Sequence, residues 1–416
     1  MKRSPLIVIF TTVFIDLVGF GIVIPVLPFY AEGTAFNATP RTVGLLFASY
    51  SVMQLIFSPI LGGLSDKYGR RPVLLLSIIG TGIGFLILGL ATTILMLFTG
   101  RILDGITGGN ISTAQAYIAD VTSEENRAKG MGLIGAAFGL GFIFGPAIGG
   151  ILSGWGIHVP FFFAAALCFA NALLLYFTLP ETVTADHPAK NRAGGGRSLR
   201  EVWRALKQPK LAFVLVIYFL FIVAFSIMTT SFSLYTMFRF GYDAQHTGYL
   251  FAYVGLIAVV IQGGLIGRLV KRFGELPLVM VGALCFAISL FAVPFVGPAA
   301  GGLAGLLIGG GVFSMGNSLA TPALTSLASK SAGAAQQGVV LGVTQSTASL
   351  ARAVGPTLAA VLISSSIAHL GADGLLHYMS DRSLFVTFWT GAAIMLLAFL
   401  LAFYQNFSRS GAAAQR

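Results

Sequence analysis

Runs of about twenty consecutive apolar residues recur from one end of this chain to the other, and few solvents and folds tolerate that. A helix needs about 20 residues to cross the hydrocarbon core of a bilayer, and the alternating segments of about ten residues that build a barrel do not appear. Only helices and closed barrels satisfy their own backbone in lipid, so the pattern specifies an all-α integral membrane protein. Composition agrees: 56% of residues are hydrophobic and 9% charged, against roughly 25% charged in soluble domains. The spans read as 6–30, 42–64, 73–91, 94–118, 130–152, 160–179, 211–236, 247–268, 277–297, 300–326, 338–363 and 383–405. The first follows Lys2-Arg3 like a secretory leader. Its length, Asp16 and the lack of an Ala-x-Ala site mark it as a retained span.

The chain divides six plus six. Residues 1–180 form an N-terminal six-helix bundle and 211–416 a C-terminal one. The linker 181–210 holds Gly194-Gly195-Gly196 and a short amphipathic piece, SLREVWRALKQP. Loops on the side of the N-terminus carry twenty Lys and Arg, and the opposite loops carry three, Arg41, Arg239 and Arg382. The positive-inside rule places both termini and the linker in the cytoplasm. The net charge of +11 therefore records topology and does not imply a nucleic-acid partner. Both cysteines, Cys168 and Cys285, lie in apolar spans and are expected to pack rather than bond.

The halves repeat in parallel. GGLSDKYGR at 62–70 aligns with GRLVKRFGE at 267–275 at an offset of 205, GLLFA at 44–48 with GYLFA at 248–252, and Gly145-Pro146 with Gly355-Pro356. Two such halves with a site between them near the midplane describe a secondary transporter.

Three motifs resemble those of the major facilitator superfamily, in its drug:proton antiporter branch of the tetracycline-exporter type. They are GGLSDKYGRRPVL after the second span, GRILDGITGG in the fourth and GFIFGPAIGG in the fifth. The resemblance covers essentially the whole chain and implies twelve helices in two pseudo-symmetric bundles. It implies a gate built on Gly62, Asp66, Gly69, Arg70 and Arg71, with Asp66 meeting the start of the eleventh helix and Arg70 pairing with Asp120. Lys271 stands where the second half would repeat Asp66, so the gate is expected on one side only. The antiporter motif contributes Gly141, Gly145, Pro146, Gly149 and Gly150. Small residues let helices approach closely, and the resemblance implies a tight contact between the halves there. It departs from tetracycline exporters in one respect: the ninth span carries no aspartate, and His246 only opens the eighth.

Four charges lie well inside spans: Asp16, Arg101, Asp104 and Arg352. A charge at the bilayer centre costs a few kcal/mol even on insertion scales, so each is a functional candidate. Asp16 and Asp104 each sit ten residues from a span end, about 15 Å deep, and Arg101 is at i,i+3 to Asp104. Burial favours a protonated acid and a neighbouring arginine an ionised one, the balance a proton carrier needs. Two acids beside one arginine leave one without a cation. Asp16 is ranked as the carrier, with Arg101–Asp104 tuning it, although a permanent structural pairing would also account for either acid. Gly19, Gly21, Pro25 and Pro28 are expected to loosen the outer half of the first helix. Asn110, Gln115, Gln262, Asn317, Gln345 and Arg352 are candidate substrate contacts.

The function expected is proton-coupled export of small amphipathic molecules by a monomer in the bacterial inner membrane, driven by the proton gradient without a cofactor or metal. Symport of a metabolite is the alternative. None of the five histidines lies well inside a span, which disfavours an intramembrane enzyme, and no phosphate-binding loop GxxxxGK[ST] occurs. Two acids and two arginines bring the cavity region near neutrality, which predicts neutral, zwitterionic or singly cationic cargo.

Overall fold

The computed structural model describes residues 5–33, 36–122, 124–182, 208–331, 337–363, 369–370, 376–377 and 379–414, with no side chains at 124–129, 337–339, 341, 369–370, 376–377 and 408–414. Most of the linker, including the glycine joint and most of the amphipathic piece, lies outside these residues. Twelve helical spans are present among them: α1 Pro5–Glu32, α2 Pro40–Tyr68, α3 Arg70–Gly89, α4 in two pieces (Ile94–Thr107 and Asn110–Val121), α5 Glu124–Ser153 and α6 Val159–Thr178. The second set is α7 Pro209–Phe240, α8 Ala244–Phe273, α9 Glu275–Phe295, α10 Gly302–Lys330, α11 Gln337–Ile363 and α12 Asp381–Ala414. A two-residue antiparallel pairing, His369–Leu370 with Leu376–His377, lies between α11 and α12.

Local chemistry sets the ends. Thr39 accepts from the Thr42 N–H ahead of Pro40 at the first position of α2, and Asp243 accepts from the His246 N–H to start α8. Side-chain oxygens at these positions satisfy amides that the helix leaves unpaired. Gly69 (φ +105°) separates α2 from α3, and its repeat mate Gly274 (φ +80°) separates α8 from α9. Only glycine adopts such backbone cheaply, so both halves turn at the same register.

Packing follows the repeat. Within the first six helices α1 packs on α5 and α6, α3 on α4 and α6, and α2 on α4; α7, α9 and α8 make the corresponding contacts with α11, α12 and α10. Across the halves α2 meets α11 and α5 meets α8, the two equivalents of one contact. Large apolar side chains such as Leu95, Phe177 and Ile308 point outward, more than two-thirds exposed, as a lipid-facing belt requires.

Two spans depart from continuous helix. α4 breaks at Gly108-Gly109 because α2 comes against it there. A Cβ at Gly105 would meet the Tyr50 carbonyl at 2.5 Å and one at Gly109 the Ser58 backbone at 2.9 Å. Gln54 Nε2 donates to the Gly108 carbonyl at 3.0 Å, satisfying the interrupted backbone. α8 widens into a π-turn at Ile261–Leu265. Conversely, α1 runs unbroken through Pro25 and Pro28. Gly19 lies against the Phe85 ring and Gly21 against Gly145 and the Gly141 carbonyl. In this state these two glycines serve close packing rather than a loosened helix.

Candidate functional site

The intramembrane charges separate into two groups. Arg101, fully buried, donates from Nη1 to Asp104 Oδ2 at 2.7 Å and stacks over the Tyr50 ring at 4.4 Å. Its Nε and Nη2 have no partner among the described residues. Asp16, on α1, receives instead a long hydrogen bond from Asn110 Nδ2 at 3.4 Å, and no described cation pairs with it. Asn110, grouped by sequence with the substrate amides, is thus 1% exposed and turned to the acid. Its position just after the α4 break brings it there.

Between the halves lies a cavity of about 550 Å³. Its wall comes from the middle of α1, α2 and α7 and from the stretches of α4, α5, α8, α10 and α11 nearer the face where α1 begins. That face carries Lys67, Arg70, Arg71, Arg268, Lys271, Arg272 and Lys330, and is called the basic face below. Gln115, Gln262, Asn317, Gln345 and Arg352 all line the cavity; Asn110 does not. The π-turn carries Gln262, whose Nε2 donates to Ser318 Oγ at 3.4 Å. Neither acid lines the wall. The expected balance of two acids against two arginines does not describe the cavity, because Asp16 and Asp104 point away into the first bundle.

Toward the opposite face the halves close. Gly150 on α5 packs Cα to Cα on Gly248 of α8, and Gly44 of α2 on Ala360 of α11. Ser233 Oγ of α7 donates to the Ile24 carbonyl of α1 at 3.4 Å. The antiporter motif therefore divides. Gly141, Gly145 and Gly149 seat α5 on α1 within one half, at Leu17, Val18, Gly21 and Ile22. Gly150 alone of the four makes the contact between halves, while Pro146 lines the cavity.

At the basic face Arg70 pairs with Asp66 and, through Nε, with Asp120 at 3.2 Å. Gly62 sits over Ser112 of α4. Asp66 faces Arg70 here; the side chains at 337–339, where the eleventh helix begins, lie outside the described residues. Glu181, which no motif signalled, completes the cluster: its two oxygens accept from the Arg70 and Arg71 N–H groups at 3.0 and 3.1 Å. An arginine pair at a helix start opposes the helix dipole, and this carboxylate offsets both. Arg71 also reaches the Tyr176 carbonyl and lies over its ring. The second half inverts the signs. Lys271 and Glu275 occupy, at the offset of 205, the places of Asp66 and Arg70, and Glu275 pairs with Lys330 at the end of α10. Glu275 opens α9 and suits the dipole without help.

Gly69→Ala is expected to destabilise the protein by about 1–3 kcal/mol. A Cβ there would meet Glu181 Oε2 at 2.5 Å, on a backbone reserved for glycine. Thermal unfolding in detergent should show a lowered midpoint, and an unchanged midpoint would refute the cap.

A twelve-helix membrane bundle, doubled by internal repeat and enclosing a cavity between its halves, is a transporter's architecture. The chain belongs to the Major Facilitator Superfamily, whose profile matches residues 9–356. It is 33% identical over 385 residues to the class H tetracycline resistance protein of Pasteurella multocida, covering 91% of this chain and 93% of that one. Multidrug resistance protein 2 of Bacillus subtilis is 31% identical over 369 residues, covering 88% and 90%. The crystal structure of the human organic anion transporter MFSD10 (TETRAN) superposes with TM-score 0.69 at 25% identity, covering 96% and 99%. The protein is a multi-pass membrane transporter, not an enzyme.

Proposed function

We propose that this chain exports small amphipathic molecules across a bacterial inner membrane in exchange for protons, by alternating access, with the basic face in the cytoplasm. The energy source is the proton gradient, with no cofactor, and the working unit is a monomer. One observation carries the coupling: Asp16 is a midplane acid without a cationic partner, one helical turn from Phe20, which lines the cavity. Phe20 and Arg352 border a small void of about 10 Å³, together with Leu17, the chain neighbour of Asp16, and Tyr50 and Gln54, roughly the room one water needs. In this state the cavity faces the cytoplasm and cargo enters from it. The resistance functions named for the relatives support export.

The test is direction. In proteoliposomes holding ethidium or, in parallel, the anionic fluorophore 8-anilinonaphthalene-1-sulfonate, with the protein's basic face inward and acid outside, an antiporter empties the vesicles of its cargo and draws protons in. Filling of the vesicles under the same gradient would establish symport and overturn the export reading.

A further inference from the structure

The cavity wall contains, among the described residues, one charged side chain, and it is Arg352. Its guanidinium touches little that neutralises it. Nη2 donates to Ser349 Oγ at 3.2 Å, one turn earlier on α11, and the group lies 5.8 Å from the Phe138 ring centre. No described Asp or Glu forms an ion pair with it. Arg101 shows the contrast: it is fully enclosed and held by Asp104. Arg352 is instead partly exposed, and what it is exposed to is the cavity. It stands fifteen residues from the start of α11 at Gln337, about 22 Å along the helix. Intramembrane arginines pair with a counter-charge or face water, and this one has been left the cavity in which to find its partner.

We propose that Arg352 is the specificity-determining residue of the cavity and that the cargo carries a single ionised acidic group, a carboxylate, enolate or sulfonate, on an aromatic body. This rests on the transport reading above and narrows its cargo. A guanidinium offers a planar fork of donors that matches a carboxylate two bonds at a time. The body has a matching surface close by. Phe142, Phe225 and Phe313 form a continuous aromatic chain, with ring centres 5.7 and 6.0 Å apart, and all three line the cavity. A cation in the same place would meet the one positive charge of the wall with no acid to offset it. The arrangement also suits export, because an anion leaving and a proton entering both move with an inside-negative potential.

Three isosteres decide the matter: 1-naphthoate, 1-naphthamide and 1-naphthylmethylammonium, of charge −1, 0 and +1. Their binding is measured by calorimetry on the full chain in nanodiscs. Naphthoate should bind at least tenfold more tightly than naphthamide, with the ammonium weakest. Arg352→Gln should remove that preference while leaving naphthamide unchanged, and Arg352→Lys should keep part of it. Equal or tighter binding of the ammonium by the native protein, no binding of any of the three, or a naphthoate preference that survives in Arg352→Gln would each overturn the proposal. The native ranking stands even if a variant fails to fold. Proton-driven export of the ammonium would sink this proposal while leaving the export reading intact. Naphthoate binding without proton-driven movement would do the reverse.

Discussion

Asp16→Asn is expected to abolish proton-driven export while leaving cargo binding and cargo-for-cargo exchange in place. The amide keeps the shape and can still meet Asn110, but it cannot take up and release a proton at working pH. The packing reason for tolerance is that Asp16 holds no arginine: its described contact is one long hydrogen bond from Asn110 at 3.4 Å. Asp104→Asn should behave differently. Arg101 is paired to Asp104 at 2.7 Å and is 0% exposed, so the substitution strands a buried charge. Removing one partner of a buried pair costs about 3–5 kcal/mol. That variant should therefore unfold at lower temperature, whereas Asp16→Asn should unfold near the native midpoint. Transport in vesicles and thermal unfolding together separate the two acids. Gradient-driven export by Asp16→Asn would remove Asp16 from the coupling.

The second large effect is expected at the crossing of α5 and α8. Gly150 and Gly248 meet there through their Cα atoms, on the side of the cavity away from the basic face. A side chain on Gly248 has nowhere to go while the halves stay closed. Overpacking of this kind costs about 1–3 kcal/mol, and here the cost falls only on the state in which the two glycines touch. Gly248→Val should thus shift the protein toward the state open to the opposite face. Ser233, fully buried in that closed region, reports the shift as a cysteine. In a background with Cys168 and Cys285 replaced, labelling of Ser233→Cys by a water-soluble maleimide should rise several-fold when Gly248→Val is added. Transport should fall, because one state of the cycle has become costly. Unchanged labelling would mean that the crossing yields without opening the path.

The sequence alone determined the solvent, the twelve spans, the repeat of one half in the other, and the four charges that hydrocarbon should exclude. All of these are local: hydropathy and charge cost act residue by residue, and the repeat shows as a constant offset between Gly69 and Gly274. The motifs placed Arg70, Arg71 and Asp66 at one edge for the same reason. What the tertiary structure decided is which of these groups meet. Helices that are apolar nearly all round do not reveal how far each is rotated, so the Arg101–Asp104 pair, three residues apart on one helix, was legible, but not that Asn110 turns to Asp16 or that Arg352 faces the cavity alone. Nor did it show that α4 breaks at Gly108-Gly109, because the cause is the approach of Tyr50 and Ser58 from another helix. Glu181 went unnoticed since its partners, Arg70 and Arg71, are more than a hundred residues away. Depth in the membrane is written along the chain; the distances between neighbours at one depth are set only when the helices pack.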